Sequence, residues 1–81
     1  MHDIVADFIR SRFRSSLPGG VLAHDAALFS TGVVDSFGVL ELIAFLEDTF
    51  RITIDTSRHD LAEFDSVDKI VALVRGLHEG R

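Results

Sequence analysis

The sequence predicts an all-α fold, a four-helix bundle of three main helices plus one short helix, with a long loop between the first and second. Three observations predict it. Three segments carry apolar residues at helical spacing, and the one stretch with strand-like alternation, Ile52-Thr53-Ile54, is too short to found a sheet. Breaks between the helices are marked by Pro18-Gly19-Gly20 and by Gly32. With 81 residues and no cysteine, the chain can build one modest core held by packing, without disulfides or thiolate-bound metal. Residues 1–81 read as a single domain.

The first helix is expected over residues 3–14, where Ile4, Val5, Phe8, Ile9 and Phe13 share one face. Arg10, Arg12 and Arg14 near its end complement the helix dipole. Residues 15–35 then form a long connection, and a structureless loop of that length is unusual in a compact fold. Val21, Leu22, Leu28 and Phe29 are expected to pin it to the core, with a short helical turn over 25–28. Gly32 supplies a turn before the next element.

The second helix is expected over 36–50. Wound at about 100° per residue, it gathers Val39, Leu42, Ile43, Leu46 and Phe50 into one buried arc. Outside that arc lie Phe37, Leu40, Ala44 and Phe45, with Glu41, Glu47 and Asp48 among or beside them. Apolar groups interleaved with carboxylates suit a partner-binding face. The competing reading is that the long loop covers Phe37 and Phe45. β-Branched residues at 52–54 end the helical run in an extended connector. A short helix is expected around 59–63 with Leu61 and Phe64 as anchors. The last helix, 66–78, sets Val67, Ile70, Val71, Val74 and Leu77 in register, with Asp65 or Ser66 as its cap and Gly80 at its end. Gly76 weakens its final turn.

Charge narrows the function. Residues 35–68 hold nine of the thirteen acids and only Arg51 and Arg58 as bases. A negative middle repels a phosphate backbone, so a nucleic-acid partner is not expected, whereas a basic protein surface is. An acidic surface kept for solubility is the plainer reading of the same pattern. No apolar run is long enough to span a bilayer, and the N-terminal residues lack the basic-then-apolar order of a signal peptide. The expectation is therefore a cytoplasmic monomer with no membrane partner.

Enzyme readings find little support. His2, His24, His59 and His78 are scattered without paired metal-ligand spacing, so each reads as a surface residue and no metal is expected. Neither a glycine-rich phosphate loop nor a Gly-x-Ser-x-Gly elbow is present. What remains is Gly32-Val33-Val34-Asp35-Ser36-Phe37-Gly38, leading straight into the second helix. Alone, Asp35-Ser36 is a helix cap and nothing more.

Leu28-Phe29, Gly32-Val33, Asp35-Ser36, Glu41-Leu42, Leu46-Glu47, Phe50 and Ile52 together resemble the acyl and peptidyl carrier protein family, over about residues 4–77. The resemblance implies an acyl-carrier-like bundle that performs no chemistry itself. It implies that Ser36 is esterified with 4′-phosphopantetheine from coenzyme A by a phosphopantetheinyl transferase, which Asp35 helps to engage together with its metal ion. The arm carries acyl or aminoacyl groups as thioesters. An adenylating acyl or aminoacyl ligase loads it, and a downstream synthase or transferase of a biosynthetic pathway unloads it. Phe37, Leu40, Glu41, Ala44, Glu47 and Asp48 match the family's recognition face, to which Phe45 is added from the helix phase. Phe37-Gly38, where many members have Leu after the serine, is more similar to specialised stand-alone carriers such as D-alanyl or aminoacyl carriers. The alternative is an unmodified helical interaction module that binds its partner through the acidic Phe37/Phe45 face.

Overall fold

The computed structural model describes residues 2–17, 22–29 and 31–79. The breaker Pro18-Gly19-Gly20, the anchor Val21 and the terminator Gly80 lie outside the described residues. Within them the fold is all-α, with no strand. Its helices are α1 (His2–Arg12), α2 (Ser36–Phe50) and α3 (Val67–Glu79), joined by 3-10 turns at Arg14–Ser16 and Leu61–Phe64. No described helix is long and apolar enough to cross a membrane.

α1 ends two residues before the expected boundary. Phe13 leaves the helix and the chain tightens into the 3-10 turn, the usual way a last turn satisfies its carbonyls. Its buried line is Val5, Ala6 and Ile9, while Ile4 at the edge of the stripe is half exposed. α1 packs against α3, whose Val67, Ile70, Val71 and Val74 are all buried, as the register of that helix requires. Ser66 caps α3: its Oγ accepts the Lys69 N–H at 3.1 Å.

The long loop holds to the core through Leu17, Leu22, Leu28, Val33 and Val34, all buried. No helical turn forms over 25–28. A tight turn occupies the neighbouring residues, closed by the Ala26 N–H on the Ala23 carbonyl at 3.1 Å. The second expected cap, Asp65, has a different task. Its Oδ1 accepts the N–H groups of Leu28 and Phe29 at 3.0 and 2.8 Å, and its carbonyl also accepts the Leu28 N–H at 2.8 Å. The loop is thus tied to the threshold of α3 by charge-assisted hydrogen bonds. Asp65→Ala leaves the Phe29 N–H without this acceptor and should cost about 1–3 kcal/mol, read as a lowered urea midpoint with the slope unchanged.

The short element before α3 is a 3-10 turn at Leu61–Phe64, closed by a capping box between Asp60 and Glu63. Only Phe64 enters the core. Leu61, expected as a second anchor, is 51% exposed. At the far end of α2, Arg51 adopts a left-handed conformation (φ 56°, ψ 49°) and donates its N–H to the Glu47 carbonyl, the place where glycine commonly ends a helix. His78 Nε2 lies 2.8 Å from the Phe50 carbonyl and ties the C-terminal ends of α2 and α3 together. His2 and His24, expected as separate surface residues, stack on each other with ring centroids 5.1 Å apart.

Candidate functional site

The candidate site is the N-terminus of α2. Four features build it. Gly32 turns the chain with φ 79°, a conformation that residues with a Cβ rarely adopt. Val33 and Val34 then anchor in the core, and the Val34 N–H bonds the Leu28 carbonyl at 3.0 Å. Asp35, extended, caps the helix by accepting the Gly38 N–H on its Oδ1 at 2.7 Å. Ser36 follows as the first helical residue, with its side chain exposed.

Gly38 explains itself at this point. A Cβ there would come within 2.7 Å of the Phe13 ring and 3.2 Å of a Val34 methyl. Phe13 therefore lies directly against the first turn of α2, bracing the end of the helix that presents Ser36. The loop before Ser36 and the helix after it are both fixed from beneath, while Ser36 itself is exposed.

A helix N-terminus leaves four amide N–H groups without intrahelical partners and carries the positive end of the dipole. One of the four is taken by Asp35. An exposed hydroxyl on such an end suits a phosphodiester, whose charge the remaining amides and the dipole favour. The residues present thus fit a phosphate-linked arm on Ser36. Open grooves flank the position. One runs between Phe13, Gly32 and Phe37, and the other between Leu40, Ile43 and the 56–64 segment. Ser57 lines the second, and its hydroxyl and N–H donate to the Asp55 carboxyl at 2.6 and 3.0 Å and hold it below its ordinary pKa.

The other candidate residues divide into two groups. Ser36, Leu40, Ala44 and Asp48, at four-residue spacing, form a slanting exposed row along α2, with Phe37 beside its start. Phe37 is 77% exposed and Leu40 60%, unusual for large apolar side chains in so small a fold. The second group faces inward or is engaged within the chain. Phe45 is half-buried and stacks on Phe8 of α1 with centroids 4.1 Å apart, so α1 covers it. Glu47 accepts the Ile54 N–H at 2.9 Å and holds the extended connector. Glu41 accepts Arg12 Nε at 2.7 Å across the helix pair, at a partly exposed position. Asp65 and Phe13, which sequence reasoning did not single out for the site, are what hold its loop and its helix end. A glycine in the first turn of an otherwise strong helix was the available signal for Phe13.

No family model matches the chain. It is similar to the D-alanyl carrier protein of Streptococcus pyogenes serotype M5 (strain Manfredo), with 43% identity over 53 residues, which is 65% of this chain and 67% of that protein. The D-alanyl carrier protein of Streptococcus uberis (strain ATCC BAA-854 / 0140J) is 42% identical with the same coverage.

Proposed function

The chain belongs to the D-alanyl carrier protein family, and from that premise we propose that it carries acyl or aminoacyl groups on a 4′-phosphopantetheine arm attached to Ser36. The single observation that supports the attachment point is the geometry of Ser36: an exposed hydroxyl opening a capped 15-residue helix. When bound, the arm supplies a thiol that holds the cargo as a thioester. The protein's own residues do the rest. Asp35 keeps the first turn formed and, preceding Ser36 in the chain, offers a carboxylate for the transferase, with that enzyme's metal ion, to engage. Gly38 and Phe13 keep the helix end in place.

D-Alanine is the cargo that the relatives' name points to, loaded by an adenylating ligase and passed to a downstream transferase in the cytoplasm. The chain itself performs no chemistry in this reading. The exposed row is its contact with those partners. Phe37 and Leu40 contribute apolar area, and Asp48 and the rim of Glu41 contribute negative charge for a basic surface. Such contacts are weak and screened by salt, which suits a carrier that must leave one enzyme for the next.

The test uses the absence of cysteine. Incubation with coenzyme A and a promiscuous phosphopantetheinyl transferase should create one protein thiol where none existed. No thiol with several transferases removes the proposal. The face has its own test. The double substitution Phe37→Ala/Leu40→Glu should leave the thermal midpoint nearly unchanged, because both side chains are exposed, yet cut ligase loading of the arm at least about tenfold. Unaltered loading would move the contact elsewhere.

A further inference from the structure

His2, at the start of α1, and His24, in the long loop, come together over Asp68 in the first turn of α3. The backbone brings them there. The Asp68 N–H bonds the His24 carbonyl at 2.9 Å, docking the loop on the end of α3 with the His24 ring beside the Asp68 carboxylate. From the other side, His2 Nε2 reaches Asp68 Oδ1 at 3.0 Å. The two imidazoles stack with their planes 23° apart. One ligand atom from each of the three side chains lies within 4.8 Å of the other two. No burial of apolar area explains the gathering, since His24 and Asp68 are exposed and His2 is only half-buried.

We infer that His2, His24 and Asp68 form a site for a divalent transition-metal ion, with zinc the ion that fits the donors. Two imidazoles and a carboxylate make a set of the kind zinc takes with three protein ligands and water in the fourth position, and the exposed side of this cluster admits that water. Two nitrogen donors of three argue against magnesium or calcium, which take oxygen ligands. Zinc stands about 2.0–2.2 Å from such donors. Tetrahedral binding therefore needs the three atoms roughly 3.4 Å apart. The His2–Asp68 pair is already that close, and rotation of the exposed His24 side chain closes the rest. The ligands come from three separate segments, so the ion binds only the folded chain and clamps the loop to both helices.

The test is calorimetric titration of Zn²⁺ into the tag-free full chain, carried out in a Ser36→Ala background so that no arm thiol competes for the ion. One saturable site and a zinc-dependent rise in thermal midpoint are expected. His24→Gln and Asp68→Asn should each weaken binding about tenfold or more and remove the rise. His59→Gln should change neither, and Mg²⁺ should give neither effect. Melts without metal show whether each variant folds, and the two replacements keep size and hydrogen-bonding capacity, so either can stand for the other. Wild-type zinc binding in a folded His24→Gln chain would overturn the inference, because it would show that the ion does not need His24 as a ligand. Absence of saturable binding in the parent chain would overturn it as well. Neither result bears on Ser36.

Discussion

Leu46→Ala should lower the free energy of unfolding by about 2–5 kcal/mol. Leu46 is fully buried on the inner face of α2, in one core cluster with Leu42, Phe64 and Val74. Truncation loses the transfer energy of the removed atoms and leaves a cavity that a close-packed interior fills only in part. A chain of 81 residues has a total stability of about 4–12 kcal/mol at typical values per residue. One buried leucine is therefore a large share of the whole. Leu40→Ala is the paired control on the same helix. At 60% exposure it should stay within about 0.5 kcal/mol of the parent. Equal shifts in the two urea midpoints would contradict the phase of α2, and with it the row of exposed residues behind Ser36.

Ser36→Ala should abolish arm attachment completely while leaving the fold intact. The reason for the first is chemical: alanine has no oxygen to form the phosphodiester. The reason for the second is that Asp35, and not Ser36, caps α2, and the Ser36 side chain is exposed. Alanine also has the higher helix propensity, so the melting temperature should hold or rise slightly. This separation of function from stability distinguishes a carrier from an unmodified interaction module that uses Phe37 and its neighbours. In the module, Ser36→Ala is silent. A Ser36→Ala chain that still gains a thiol would move the attachment to another hydroxyl.

Much of this architecture was legible in the sequence because it follows from local rules. The apolar period of 36–50 gave α2 its observed bounds, and Asp35 before it is a cap that residue type alone identifies. The Val67–Val74 stripe placed α3 within one residue of its observed bounds at each end, Val67–Glu79 against the expected 66–78. What was not legible depends on residues far apart in the chain. Asp65 looked like a second cap for α3, and only the fold shows that its carboxylate holds the N–H groups of Leu28 and Phe29. Phe45 lay off the main arc of α2, yet Phe8 of α1 covers it through a stacked pair. Glu41 and Glu47 looked alike on the helix surface, but one pairs with Arg12 and the other with a backbone amide. Of the face expected on α2, the side chains left freely exposed are Phe37, Leu40, Ala44 and Asp48. The His2–His24 stack was hidden for the same reason: metal-ligand spacing in sequence finds only ligands that share an element, and these do not.

These differences sharpen the reading of Ser36. Its surroundings are not a solvated helix end that happens to carry a serine. The loop before it is tied down by Asp65, and the turn after it is braced by Phe13 against a glycine that leaves room for the ring. A mobile arm on that end would swing from a fixed base.

The most direct measurement is the mass of the protein purified from its own host, followed by fragmentation of the peptide that contains Ser36. A single phosphopantetheine increment on Ser36, bearing an aminoacyl group or a free thiol, is the predicted result. An unmodified Ser36 throughout the population, in cells that contain an active phosphopantetheinyl transferase, would contradict it.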